Sequence, residues 1–149
     1  MSKIRVTKFF DFEMAHILHN YDGLCKNLHG HSYKLYITVL GEPINDPNNK
    51  KNGMVVDFSE LKKIVKTQVV DRLDHSIAVS KYSPIEKLEQ LGEMYERHHI
   101  FDFQPTCENM VVWIANELRS LLPEGKELFS VRLDETASAY AEWYAADNL

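Results

Sequence analysis

Residues 29–40 read His29-Gly30-His31-Ser32-Tyr33-Lys34-Leu35-Tyr36-Ile37-Thr38-Val39-Leu40. From His31 onward this is the strongest strand in the chain. Tyr33, Leu35, Ile37 and Val39 fall on one face by period-two geometry. His29 and His31 lead into the strand on the same parity. Residues i and i+2 of a strand point the same way, about 6.5–7 Å apart. Two imidazoles on one face can therefore share a metal, and Gly30 leaves room on the opposite side. For an H-x-H taken alone, ordinary strand-end histidines bonded to nearby backbone are the plainer reading.

Upstream, residues 4–13 read as a second strand. Ile4, Val6, Phe9, Phe10 and Phe12 favour it, with Arg5 and Lys8 between them. The polar stretch from His19 to Leu28 contains the turn signal Asp22-Gly23. If the two strands pair as a hairpin, His16 comes near His29 and His31. Three imidazoles with one open position form the catalytic zinc pattern. Cys25 is either a fourth ligand or a thiol whose pKa a nearby metal and Lys26 would lower. His19 is expected to be exposed.

Downstream, residues 42–53 form a polar loop and Met54 to Phe58 reads as a strand end. Leu61, Ile64, Val65, Val69 and Leu73 repeat at helical spacing, which predicts a helix over 60–73 with Ser59 as its N-cap. Asp74-His75 follows it directly. Such a pair is either a helix-terminal histidine meeting the dipole, the plainer reading, or an acid/base relay in which the carboxylate fixes the imidazole tautomer. Glu86 to Arg97 suggests a short charged helix, and His98-His99 reads as solvated. Thr106 caps a second helix, whose stripe runs Met110, Val111, Ile114, Ala115, Leu118, Leu121 and Leu122 until Pro123 and Gly125 end it. Strands over 128–133 and 139–145 close the chain, joined by residues 134–138. The order β-β-α-α-β-β predicts an α+β fold, an antiparallel four-stranded sheet with two helices on one face. The other face is left to a partner chain or solvent.

Composition sets the limits. The chain has 149 residues, 44% of them hydrophobic, enough for one core and one domain, 1–149. Lys and Arg total 17 against 22 Asp and Glu, a net charge of −5, which argues against broad nucleic-acid binding. Two cysteines, Cys25 and Cys107, do not make a disulfide framework. No signal peptide and no membrane-length apolar run is visible, so a cytoplasmic protein is expected. Two acids stand out. Glu108 lies in the first turn of the second helix, where a carboxylate is favourable for structural reasons alone. Glu135 reads as a solvated loop acid, unless it or Glu108 accepts two N–H bonds from a ring with an amidine-like edge.

Taken together, Phe12-Glu13-Met14-Ala15-His16, Cys25-x-x-x-His29-Gly30-His31, Leu73-Asp74-His75, Pro105-Thr106-Cys107-Glu108 and Asp134-Glu135-Thr136 resemble the 6-pyruvoyl-tetrahydropterin synthase family, in the family's order. The resemblance spans residues 9 to about 144. It implies the T-fold, or tunnelling fold, with subunits joined into a ring, a homohexamer with sites at subunit interfaces. It implies His16, His29 and His31 as ligands of Zn2+. It implies Cys25 as the catalytic thiol, Asp74 and His75 as its relay, and Thr106, Glu108 and Glu135 as holders of the pterin ring. The implied substrate is 7,8-dihydroneopterin triphosphate, with zinc polarising the side-chain hydroxyls.

The C-x-x-x-H-G-H spacing, with Ser32 after it, resembles the bacterial queuosine-pathway branch, 6-carboxy-5,6,7,8-tetrahydropterin synthase. That branch releases acetaldehyde and triphosphate. The animal-type 6-pyruvoyl branch sets the thiol further ahead, with Asn after the motif, and an aldolase-like branch replaces the thiol by Glu. A non-catalytic, zinc-stabilised ring protein that binds a pterin is the reading from outside enzymology. Two features depart from the family. Ile17 stands where Arg is common, and residues 80–104 form an insertion between the two main helices. Cys107 has no implied role.

Overall fold

The computed structural model describes residues 2–149. Strand β1 (Ile4–His16) and strand β2 (His29–Gly41) pair antiparallel along their whole length. β1 therefore runs three residues past its expected end and carries His16 inside the ladder. Its even-numbered side chains Phe10, Phe12 and Met14 point to the core with Tyr33, Leu35, Ile37 and Val39 of β2. Strand β5 (Glu127–Thr136) pairs antiparallel with β2, and strand β6 (Ala139–Tyr144) pairs with β5. These four strands are the antiparallel sheet expected from sequence.

The full sheet has six strands, in the order β4-β3-β1-β2-β5-β6. β3 (Ser76–Ser80) pairs parallel with the end of β1, and β4 (His98–Phe101) pairs parallel with β3. Neither was expected as a strand. Each is only four or five residues long, and Ser76, Ser80, His98 and His99 dilute the apolar pattern. The 80–104 stretch thus contributes β4 and a five-residue helix, α3 (Ile85–Glu89), and widens the sheet.

The helices cover one face. Helix α1 (Phe58–Val65) runs through a π segment (Lys66–Val70) into a last turn, α2 (Asp71–Leu73). The π segment answers to the apolar spacing. Leu61, Val65, Val69 and Leu73 are four apart and all fully buried. Four residues of an α-helix advance about 400°, so strict four-spacing drifts about 40° per step. A wider π turn absorbs that drift. Two expectations fail here. Met54 to Phe58 is not a strand, and the N-cap is Asp57, whose carboxylate accepts from Ser59 N at 2.8 Å.

Helix α4 (Cys107–Leu118) has Thr106 as its N-cap, as expected, with Asn109 N donating to Thr106 Oγ1 at 3.2 Å. It ends before Leu121, which is 42% exposed, so the stripe is shorter than read. On the opposite face the sheet carries Phe9, Tyr36, Phe129, Arg132 and Tyr140, with Phe9 60% exposed. No helix among the described residues is long and apolar enough to cross a membrane.

Candidate metal centre and acid/base pair

Register builds the first cluster. His16 pairs directly with His29, and His31 pairs with Met14, two positions along. All three imidazoles thus stand on the core face at one end of the β1–β2 ladder. Their ring centroids are 4.5, 5.1 and 4.9 Å apart. One nitrogen from each lies within 4.8 Å of the others, making a group able to hold a metal ion.

The hydrogen bonds decide which nitrogens are free. His16 Nδ1 donates to Pro105 O at 2.8 Å, and His29 Nδ1 donates to Asn27 O at 2.6 Å. A carbonyl only accepts, so each Nδ1 carries the proton and each neutral Nε2 presents a lone pair. Those two Nε2 atoms face each other at 2.9 Å. Facing lone pairs repel unless a proton or cation lies between them. Burial holds the pKa of His16 down at about 4 and lowers that of His31, so the neutral form is the stable one there. Among the described residues, His31 Nε2 is buried without a hydrogen-bond partner. Carbonyl-oriented, neutral imidazoles converging through free nitrogens fit a divalent cation.

Glu135 is not a loop acid. It lies within β5 at an irregularity in which Asp134 pairs with Tyr140 and Thr136 with Ala139. Alternation from the buried Leu133 turns it to the core face. Glu135 Oε1 comes 3.8 Å from His31 Nε2, while Asp134 pairs with Arg132 on the other face at 2.8 Å. Tyr33 belongs to the same environment. It stacks on Phe12 at 5.1 Å and brings its hydroxyl to 3.5 Å from His16 Nδ1. By sequence, Tyr33 reads as core alone and Pro105 as a helix opener. Neither a tyrosine on an apolar parity nor a carbonyl oxygen leaves a distinguishing sequence signal.

The second cluster is Asp74–His75, just past α2. Asp74 Oδ1 lies 3.0 Å from His75 Nδ1 and accepts from Glu13 N at 2.8 Å. His75 N donates back to Glu13 O at 2.6 Å. Burial opposes ionisation of Asp74. The Glu13 N–H, His75 and Arg97 outweigh it and hold the carboxyl below its ordinary pKa. Glu13, which the sequence offered only as part of a motif, is therefore the backbone anchor of the pair. Its own carboxylate accepts from Ser32 Oγ at 2.8 Å. A cleft of about 690 Å³ opens here, lined by Glu13, His31, Ser32, His75 and Glu93 through Arg97. Gly30 forms part of its wall, and a β-carbon there would meet only ordinary contacts, with Met14 O at 3.5 Å.

The remaining residues are placed as follows. Cys25 sits half-buried in a short 3-10 turn, Leu24–Lys26. Among the described residues it is not part of the three-histidine group, and no hydrogen bond joins it to Asp74 or His75. Glu108 is exposed in the first turn of α4. Thr106 is half-buried beside Pro105, whose carbonyl holds His16. His19 is half-buried rather than exposed, its backbone gripped by the Gln104 amide at 3.2 and 2.8 Å. His98 is solvated, but His99 is half-buried and donates to Arg72 O. Cys107 is buried and donates to Leu133 O at 3.1 Å, and burial pushes its pKa up to about 12, which makes it inert.

A two-helix α+β sheet with three histidines at one end of its central hairpin is the architecture of a known group of proteins. Residues 5–146 match the 6-pyruvoyl tetrahydropterin synthase family, and the chain belongs to it. A Haemophilus influenzae protein named 6-carboxy-5,6,7,8-tetrahydropterin synthase is 34% identical, over 93% of this chain and 97% of its own. One of the same name from Rickettsia bellii is 29% identical over 93% and 99%. Among solved structures, 6-pyruvoyl tetrahydropterin synthase of Caenorhabditis elegans superposes with a TM-score of 0.72 at 25% identity, over 97% of each chain. A Wolinella succinogenes protein superposes at 0.79 with 22% identity, over 97% and 99%, which supports the T-fold.

Proposed function

We propose that this protein is a zinc-dependent 6-carboxy-5,6,7,8-tetrahydropterin synthase, a cytoplasmic lyase. It converts 7,8-dihydroneopterin triphosphate and water to 6-carboxytetrahydropterin, acetaldehyde and triphosphate, in the route to queuosine. The observation that carries this reading is the open three-histidine group beside a carboxylate-held histidine. Family membership and the names of the Haemophilus and Rickettsia relatives support the same reaction.

His16, His29 and His31 would hold the zinc. When bound, zinc supplies a Lewis acid that makes the C–H bonds beside the substrate's side-chain hydroxyls easier to deprotonate. The chain's own groups do the rest. Cys25 takes and returns protons on the side chain. Asp74 fixes the tautomer of His75, so that its other nitrogen can exchange protons. Glu135 accepts two N–H bonds from the pterin edge, with Thr106 and Glu108 steadying the ring. Among the described residues of one chain no hydrogen bond joins Cys25 to the Asp74–His75 pair. The reading therefore includes a homohexamer in which subunits share each site.

Product identification tests this. Zinc-loaded protein given 7,8-dihydroneopterin triphosphate should yield acetaldehyde and the 6-carboxy product in equal amounts. A 6-pyruvoyl product would move the chain to the other branch of the family. Tight pterin binding without turnover would make it a binding protein.

A further inference from the structure

The turn that carries Asp74 and His75 needs support. The α2 turn ends at Leu73, and His75 then adopts φ +58°, a left-handed conformation that a β-carbon disfavours. The last carbonyls of a helix also lack intrahelical partners. Of the four carbonyls from Asp71 to Asp74, Ser76 Oγ holds that of Leu73, and the 80–104 stretch holds the other three. Arg97 Nε donates to Asp74 O at 3.1 Å, and its Nη2 donates to Asp71 O. His99 Nε2 donates to Arg72 O. Arg97 O accepts from Ile77 N at 3.1 Å, so this residue grips the turn from both sides. The same segment lines the cleft into which His75 opens.

We propose that Arg97 is a positioning residue. By bridging the carbonyls of Asp71 and Asp74, it fixes the turn that presents the Asp74 carboxylate and the His75 imidazole to the cleft, with His99 securing the Arg72 carbonyl. This rests on the reading of Asp74–His75 as the relay. A planar guanidinium suits the task, because its fixed fork reaches two acceptors at once, which an ammonium does not reproduce. The 80–104 stretch is then part of the catalytic apparatus, acting through the pair rather than on substrate.

The test uses the zinc-loaded full chain with Arg97→Gln, Arg97→Lys, His75→Ala and the Arg97→Gln/His75→Ala double variant. Small misplacements of catalytic groups are costly, so Arg97→Gln should lower kcat roughly tenfold. KM for 7,8-dihydroneopterin triphosphate and bound zinc should stay unchanged. Arg97→Lys should recover only part of the loss. The double variant should be no slower than His75→Ala alone, because residues acting as a unit are not additive. An unchanged kcat in Arg97→Gln, or losses that multiply in the double variant, overturns the proposal. Amide hydrogen exchange gives a readout independent of turnover. In Arg97→Gln the amides of Asp74 and His75 should exchange roughly tenfold faster, with those of β2 unchanged. Unchanged exchange at Asp74 and His75 also overturns it. If the parent chain binds zinc but turns nothing over, the lyase reading fails, and exchange alone decides whether Arg97 holds the turn.

Discussion

The three histidines and the Asp74–His75 pair lie at the same end of the sheet, yet they are held in opposite ways. His16, His29 and His31 stand on a hairpin paired over thirteen residues on each strand, above a core of fully buried side chains. Carbonyls from two loops orient two of the rings. The Asp74–His75 pair stands on a turn with one residue in a left-handed conformation. It is held by two hydrogen bonds to the Glu13 backbone and one from Arg97 to the Asp74 carbonyl, and the His75 side chain is 75% exposed. The first arrangement is rigid before any ligand arrives. The second depends on a few polar contacts.

The largest expected effect comes from the rigid cluster. His29→Ala leaves two imidazoles. Loss of an outer partner alone typically weakens metal binding 10–100-fold. Loss of this ligand should weaken it by at least about 100-fold and abolish turnover, read by zinc content and kcat. Retained stoichiometric zinc would break the assignment. Next comes the pair. Asp74→Asn should lower kcat by about 10²-fold, the scale of lost general acid/base assistance, with zinc content unchanged. If zinc were lost as well, the two clusters would not be independent.

Acid sharpens the contrast in metal-free protein. His16 has its pKa held at about 4, below its ordinary 6.5. Between those values the unfolded chain binds a proton that the folded chain refuses. Its contribution to stability is therefore fully present above pH 6.5 and lost as the pH falls toward 4, by roughly 3 kcal/mol. Asp74, whose pKa is also lowered, loses its smaller contribution only below its ordinary 3.8. Urea unfolding between pH 7 and pH 4 reads the difference, and replacing His16 should flatten the curve in that window. The smallest effect belongs to Thr106. Thr106→Ala removes the acceptor for Asn109 N and should cost about 1 kcal/mol, measured by urea unfolding. A rise in KM beyond that would add a direct hold on the pterin.

Much of this was legible in the residues. Period-two alternation from Tyr33 to Val39 set the central strand and its buried face. The parity of His29 and His31 placed both imidazoles on that face before any partner was known. Thr106 as a cap and the Met110–Leu118 stripe gave the second helix. Other features were hidden because they depend on partners distant in sequence. β3 and β4 carry mixed patterns that become strands only beside the end of β1. Glu135 looked like a loop acid because the strand was read as ending at Leu133, whereas pairing with β6 carries it on to Thr136. Asp57 rather than Ser59 caps α1 because its carboxylate reaches the Ser59 amide, and both residue types cap equally well on paper.

By itself, then, the sequence determined the α+β class, the central hairpin and the identity of the three candidate ligands, because strand parity and helical spacing are local properties of the chain. The tertiary structure alone decided that His16 stands opposite His29, that two carbonyls turn the lone pairs inward, and that Glu13 and Arg97 hold the Asp74–His75 turn. Those depend on register and on contacts spanning up to 89 residues, as between His16 and Pro105, which no local pattern encodes.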